Sequence, residues 1–399
     1  MKSPPLHQAQ RLILARLVPV GAEQVLLTEA AGRVAPEAIR CRRPHPTFHQ
    51  STRDGYALGP IAAELTSSRL TRFRLVGEVA AGSLHPPRLK IGEAVRIMTG
   101  ALLPVGAVGV MPLELCHEQE GTVEIATRAL QESPRHICRR GSSLAAGSLL
   151  VAAGTPVAPE HLPLLAENGH HLLTVRRRPL VALLSSGSEL VAPGTTPLPG
   201  QKVSGNGLLL HALVEKAGGR CHDLGTVVDR VEELTAALGR ALESGADIIV
   251  TTGGMGPGRY DLMEEVFERL DGTILYRSLA VRPGKATLFG YLAGRPFFAL
   301  PGPPPAVRLL FQELVTPALR RLLGLRRTLP RTVTATLSHD ISLRQRGVLN
   351  LKGGLLSPEA DGFSVRPTQA HEAASAVILL PGRRQIFPAG SVVQVHLID

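Results

Sequence analysis

Apolar positions recur along the chain in two rhythms, one at helical spacing and one alternating or continuous in short blocks. Leu6, Ala9, Ile13 and Leu17 share one stripe and predict an amphipathic helix over 6–17. Thr28 is placed to cap a second short helix ahead of Gly32. Residues 44–57 break both rhythms, because prolines forbid helix and Asp54-Gly55 signals a turn. From 71 to 130 the text predicts strands over 73–79, 94–98 and 122–126, with Thr99-Gly100 just past the second. A short helix over 160–168 stops at Gly169. Arg176-Arg177-Arg178-Pro179 reads as a linker. Beyond it strands (180–184, 221–225, 247–252, 273–277, 297–300) alternate with helices (207–217, 231–243, from Asp261 onward, 306–323). That alternation predicts a parallel α/β sheet. Residues 331–399 alternate again, with turn signals at Gly353-Gly354, Asp361-Gly362 and Pro381-Gly382, and predict a small β-domain, barrel-like or open.

The expected fold class is therefore α/β and multidomain. The expected division is 1–50 with 139–177 as an N-terminal unit in two segments, 51–138 as an inserted β-rich domain, 178–326 as the α/β unit and 327–399 as the last β-domain. In an open α/β sheet, ligands sit outside the carboxyl ends of the strands. Gly187, Glu189, Asp229, Gly253, Gly254 and Asp261 all fall at such ends. The sharpest of these is the stretch from Asp247 to Asp261, a buried strand, four glycines at 253, 254, 256 and 258, then a helix start. Glycines let a ligand approach the backbone amides, and the helix dipole favours an anion. No Gly-Lys-Ser/Thr follows, so this is not a Walker loop. A tight turn without a ligand is the plainer alternative, and a helix cap is the plainer role for Asp261.

Bulk numbers narrow the class. The chain has 399 residues, too many for one ordinary core. It is 44% hydrophobic and 19% charged, as folded globular chains are. No apolar run is long enough to span a membrane and no secretory signal is evident, so a cytoplasmic setting is expected. The four cysteines, Cys41, Cys116, Cys138 and Cys221, show no metal-binding spacing. The net charge is +11, but the basic residues are dispersed and aromatics are 3% with no Trp, which argues against a nucleic-acid partner. Small anionic ligands fit better.

Seven segments then line up with one family. They are Ser51-Thr-Arg-Asp-Gly-Tyr-Ala57, Arg96-Ile-Met-Thr-Gly-Ala-Leu-Leu-Pro104, Ser185-Ser-Gly-Ser-Glu-Leu190, Leu224-Gly-Thr-Val-Val-Asp229, Thr251-Thr-Gly-Gly-Met-Gly-Pro-Gly-Arg-Tyr-Asp261, Val281-Arg-Pro-Gly-Lys285 and Ala299-Leu-Pro-Gly302. In these segments, and in their order, the chain resembles the molybdopterin molybdenumtransferases, relatives of the E domain of gephyrin. The resemblance covers essentially the whole chain. It implies an L-shaped, four-part homodimer whose α/β unit binds molybdopterin. It implies insertion of molybdate or tungstate into adenylylated molybdopterin, with release of AMP and help from Mg²⁺. Asp54, Thr99, Glu189, Asp229 and Asp261 would be catalytic, with Asp54 and Thr99 acting across the dimer interface. Asp261, Asp229 and Glu189 would hold the metal. Gly187, Gly253, Gly254, Arg282, Lys285, Arg346 and Ser375 would bind the pterin nucleotide or the oxyanion. Molybdoenzymes or other cofactor-biosynthesis proteins would be further partners.

The chain also departs from the family's pattern. An acidic Gly-Glu-Asp-Ile segment is here Gly141-Ser-Ser-Leu144, and the usual Met before Asp-Gly-Tyr is Arg53. An Asp-Asn-Ser segment is His49-Gln-Ser51, and Leu-Pro-Gly-Asn-Pro is Leu300-Pro-Gly-Pro-Pro304. The glycine loop resembles that of molybdopterin adenylyltransferases. Two alternatives follow: an adenylyltransferase, or a non-catalytic carrier or scaffold that binds molybdopterin.

Overall fold

The computed structural model describes residues 3–61, 69–133, 135–254, 260–344 and 347–398, the side chains of Tyr260 and Asp261 excepted. The chain divides into two compact units, one of Met1–Glu37, Ala153–Pro159 and Leu172–Asp399, the other of Ala38–Ala152 and Glu160–His171.

In the first unit the apolar blocks form a doubly wound sheet. Its elements in chain order are β1 (Leu180–Ser186), α1 (Asn206–Lys216), β2 (Arg220–Val227), α2 (Val231–Glu243), β3 (Ile248–Gly253), α3 (Tyr260–Arg269), β4 (Gly272–Tyr276), β5 (Leu288–Leu292), β6 (Arg295–Leu300) and α4 (Pro304–Leu310). The strand order is β2-β1-β3-β6-β5-β4. The β2, β1, β3 and β6 pairings are parallel, whereas β5 runs antiparallel to both β6 and β4. Sequence pattern anticipated every one of these strands except β5. Alternate residues explain why the strands are apolar throughout. Val181, Leu183, Ile248 and Val250 pack with Leu210 and Val214 of α1 and Val307 of α4. Ala182, Leu184 and Ile249 pack on the opposite face with Leu234 and Leu238 of α2 and Val266 of α3. A sheet covered on both faces leaves no polar side. The chain leaves β1 for β2 on one side and returns to β3 on the other, so the order reverses between β1 and β3.

The N-terminal helix runs Leu6–Leu14, shorter than its apolar stripe, yet Leu6, Ala9, Ile13 and Leu17 are all buried. They join the core that contains α1 and α4. Thr28 caps no helix. It lies inside a single 3₁₀ turn, Leu27–Glu29, which has no side-chain cap. The basic run at 176–178 is no loose linker either. Leu172–Arg176 pairs antiparallel with Ala22–Leu26. Arg177 then forks onto both oxygens of Asp247 at 2.6 Å, and Asp247 also accepts the Leu180 amide at 2.8 Å. After α4 the helix widens to a π turn over Phe311–Val315, all five residues buried, and resumes over Thr316–Leu322. The C-terminal strands close on themselves, because Leu349–Glu359 pairs with both Gly362–Pro367 and Ala376–Leu380. Val365, Ile378 and Val395 fill that closed sheet.

The second unit holds a six-stranded sheet in the order Gly109–Pro112, Gly55–Leu58, Glu93–Ile97, Leu70–Val79, Thr122–Ala126, Cys116–Gln119. Gly55 is required there, since a Cβ on it would lie 1.9 Å from the Met111 carbonyl oxygen of the neighbouring strand. The short helix expected near 160 runs His161–Glu167 and ends at Gly169 with φ +80°.

Candidate active site

At the reversal point β1 and β3 end in register, Ser186 opposite Gly253. Gly253 has φ +90°, and a Cβ on it would sit 1.9 Å from the Ser186 carbonyl oxygen. The first glycine of the loop therefore lets two backbones meet at the mouth of the sheet. The Ser186 hydroxyl donates to Asp229 Oδ1, and the Asp229 amide donates to Ser188 Oγ at 3.4 Å. Gly254 and Gly187 clear space beside two carboxylates. A Cβ on Gly254 would lie 3.4 Å from Asp229 Oδ1, and one on Gly187 would lie 2.9 Å from Glu189 Oε2.

These groups line one cleft of about 720 Å³. Gly187, Glu189, Asp229, Gly253 and Gly254, all anticipated from the sequence, face it together. Lys202 and Asn206 face it too and were not anticipated. Asn206 opens α1, so the unpaired amides of that helix's first turn point at the cleft. Its Nδ2 donates to Thr252 Oγ1 at 2.9 Å and to the Gly302 carbonyl at 2.7 Å. Thr252 Oγ1 in turn donates to the Pro301 carbonyl at 3.2 Å. This chain of bonds fixes Pro301-Gly302, which lines the same cleft ahead of Pro303 and Pro304. Asn206 Oδ1 is buried with no partner among the described residues. The signal was present in Ser204-Gly205-Asn206-Gly207, a small polar run directly ahead of a helical pattern.

Other expected residues lie elsewhere. Arg282 and Lys285 are outside this lining. Val281–Arg282 pairs with Leu349–Asn350 of the closed sheet, and Lys285 is exposed. The Ser375 hydroxyl accepts the Leu356 amide at 2.9 Å, a bond internal to the closed sheet. Asp261 is the second residue of α3, and its side chain lies outside the described residues, as do Gly256, Gly258 and Arg346.

In the second unit, Asp54 and Thr99 come together. Asp54 Oδ1 accepts the Thr99 amide at 2.6 Å and its hydroxyl at 2.8 Å. Those two bonds, the amide first, hold the Asp54 carboxyl below the usual carboxylate range. Gly100, φ +80°, turns the chain just behind Thr99 and donates its amide to Ser51. The segment Gly141–Leu144 keeps its backbone bonds, since the Ser143 and Leu144 amides both reach the His45 carbonyl at 3.1 Å. A cavity of about 760 Å³ in this unit has His49, Arg135, His136 and Arg139 as its ionisable lining, with no carboxylate. Burial pushes the Cys116 and Cys221 thiols up to about 12, so neither is a ready nucleophile. Among the described residues no helix is long and apolar enough to cross a membrane.

A family description of the MoeA N-terminal region (domain I and II) matches residues 4–169, and one of a probable molybdopterin binding domain matches 182–321. Two crystal structures of the molybdopterin biosynthesis MoeA protein from Pyrococcus horikoshii superpose over 100% of both chains. The first has a TM-score of 0.83 at 30% identity, and the second, at 24% identity, shares the fold with a TM-score of 0.80. The chain belongs to the MoeA family. A molybdopterin molybdenumtransferase of Staphylococcus epidermidis is 29% identical over 99% of this chain and 95% of its own, and one of Staphylococcus aureus is 28% identical over 99% and 96%. The adenylyltransferase reading drops out, because the match to molybdenumtransferases runs through the N-terminal region as well as the α/β unit.

Proposed function

We propose that this chain inserts molybdate or tungstate into adenylylated molybdopterin and releases AMP, with the nucleotide end of the substrate held in the cleft between β1 and β3. The observation that carries the proposal is the meeting, in one cleft, of the Gly253-Gly254 turn, the amino end of α1, and the carboxylates of Glu189 and Asp229. Backbone amides and a helix terminus suit phosphate oxygens. Lys202, at the rim, supplies a positive charge for the same polyanion. Asn206 orients the wall, and its unpartnered Oδ1 accepts from a donor on the ligand.

Mg²⁺ fits the donor set. Glu189 and Asp229 offer hard oxygens, and Gly187 stands where a Cβ would crowd the Glu189 carboxylate. With Asp261 at the start of α3 they would hold the ion, which would neutralise charge on the phosphates as the adenylate is cleaved. Ser186, by donating to Asp229, orients that carboxylate toward the cleft. Asp54, kept ionised by Thr99, accepts a proton from water in this reading, and it reaches the cleft from a second copy of the chain. Arg282, Lys285, Arg346 and Ser375 remain proposed contacts for the oxyanion.

The test is to mix purified protein with adenylylated molybdopterin, Mg²⁺ and either molybdate or tungstate, and to follow AMP. Release that depends on the oxyanion, stops with a chelator and returns with Mg²⁺ is the expected result. Tight binding of the substrate without release would mean that the fold serves here as a carrier and would overturn the proposal.

A further inference from the structure

Away from the cleft, three donor atoms of different kinds converge. His211 and Glu215 stand one turn apart on the exposed side of α1, and Cys221 is the second residue of β2. One ligand atom from each lies within 4.8 Å of the others. The turn between the two elements brings them close. Gly218 has φ +84°, and a Cβ on Gly219 would lie 2.8 Å from Val214 Cγ1, so β2 starts hard against the helix it follows. The Cys221 thiol contacts the His211 carbonyl oxygen at 3.6 Å, which holds the sulfur at the open edge of that helix. β2 is the edge strand of the sheet; His211 and Glu215 are exposed and Cys221 is half-buried.

We propose that His211, Glu215 and Cys221 form a binding site for a zinc-class divalent cation that staples α1 to β2. One imidazole, one carboxylate and one thiolate are the mixed nitrogen, oxygen and sulfur set that zinc accepts. Magnesium, which demands oxygen ligands, is disfavoured by the same set. Metal–donor bonds of about 2.0–2.3 Å at tetrahedral angles place donors roughly 3.5 Å apart. The present spread closes to that by rotating His211 and Glu215, both exposed. Binding exchanges the thiol proton, released to solvent, for the Zn–S bond. Three protein donors leave the fourth position to water. A competing cation is Arg178, whose Nη1 is 3.7 Å from Glu215 Oε2 with both side chains nearly half exposed, a weak pair. The site lies away from the cleft but on its supports. Asn206 is five residues, about 7.5 Å of helix, from His211, and β2 leads to Asp229 at its carboxyl end.

The test uses the full chain and Co²⁺ as a spectroscopic probe, followed by displacement with Zn²⁺. One equivalent of Co²⁺ should produce a thiolate-to-cobalt charge-transfer band that Zn²⁺ abolishes and millimolar-range Mg²⁺ does not. Cys221→Ser should remove the band, His211→Gln should weaken binding by at least about tenfold, and a Cys116→Ser/Cys138→Ser double variant should keep both. Absence of the band in the wild-type chain would overturn the proposal. A band that persists in Cys221→Ser, or affinity unchanged in His211→Gln, would overturn it equally, as adventitious thiol or surface binding. His211 is exposed, so its variant carries the test should Cys221→Ser fold poorly.

Discussion

Asp54 shows how two hydrogen bonds set a charge. The Thr99 amide and hydroxyl favour the ionised carboxylate, so its folded pKa lies below the ordinary value. A depressed carboxylate pKa contributes stability that is present above the unfolded pKa and is lost as pH falls through the folded one. The same depression keeps Asp54 able to accept a proton in mildly acidic solution. Thr99→Val removes the hydroxyl bond and leaves the amide bond. The Asp54 carboxyl resonance should then titrate at higher pH, with the acidic limb of AMP release moving in the same direction. An unchanged titration would show that the hydroxyl contributes nothing. Gly253→Ala tests the mouth of the sheet. The left-handed backbone costs about 1–2 kcal/mol for a residue with a Cβ, and the 1.9 Å approach to Ser186 adds to it. A loss of at least about 2 kcal/mol in urea unfolding is expected. These side-chain relations were only half legible in the text. Asp54 and Thr99 each stood out by motif, but 45 positions separate them, and the antiparallel pairing of Gly55–Leu58 with Glu93–Ile97 brings them together.

The π turn Phe311–Val315 joins three distant pieces of chain. Glu313, with no exposed side-chain surface, accepts from His396 Nδ1 at 2.9 Å and from Gln10 Nε2 at 3.3 Å. It thus ties the N-terminal helix and the last strand, Val392–Leu397, to the helix that follows β6. Glu313→Leu takes the carboxylate from the half-buried His396, while Gln10 Nε2 keeps the backbone carbonyl of residue 313 at 3.0 Å. The expected loss is about 1–2 kcal/mol, seen as a lower urea midpoint at unchanged slope, and no measurable loss would contradict it. Periodicity could not show this network, because a glutamate inside an apolar stripe looks like an exposed position. Elsewhere the pattern was a good guide. The strand blocks at 180–184, 247–252 and 297–300 are strands whose apolar residues alternate between two covered faces. It failed where local rules compete. β5 is a Gly-interrupted run that packs antiparallel beside β6, and Thr28 sits in a 3₁₀ turn that needs no cap. Asn206 went unseen for a related reason, since its polar run reads as a loop until the helix behind it aims it at Thr252 and Gly302.

For the molecule as a whole, the family relationship carries the proposal that two copies share each cleft. Sedimentation should show a dimer, and a chain that stays monomeric at working concentration would remove the basis for Asp54 acting in trans. Mixing equal amounts of Asp54→Ala and Asp229→Ala subunits should restore about a quarter of wild-type activity. Half the dimers would then be mixed, each with one intact cleft. No recovery would place both residues in one chain's own site. The unusual Gly141–Leu144 segment, with hydroxyls where the family has acids, is compatible with this arrangement only if Glu189, Asp229 and Asp261 suffice for the metal. The measurement that bears most directly on the site is single-turnover AMP release by Asp229→Asn, beside equilibrium binding of adenylylated molybdopterin. The account predicts release slowed on the order of 100-fold with binding weakened far less. Release at the wild-type rate would show that the chemistry is not performed in this cleft.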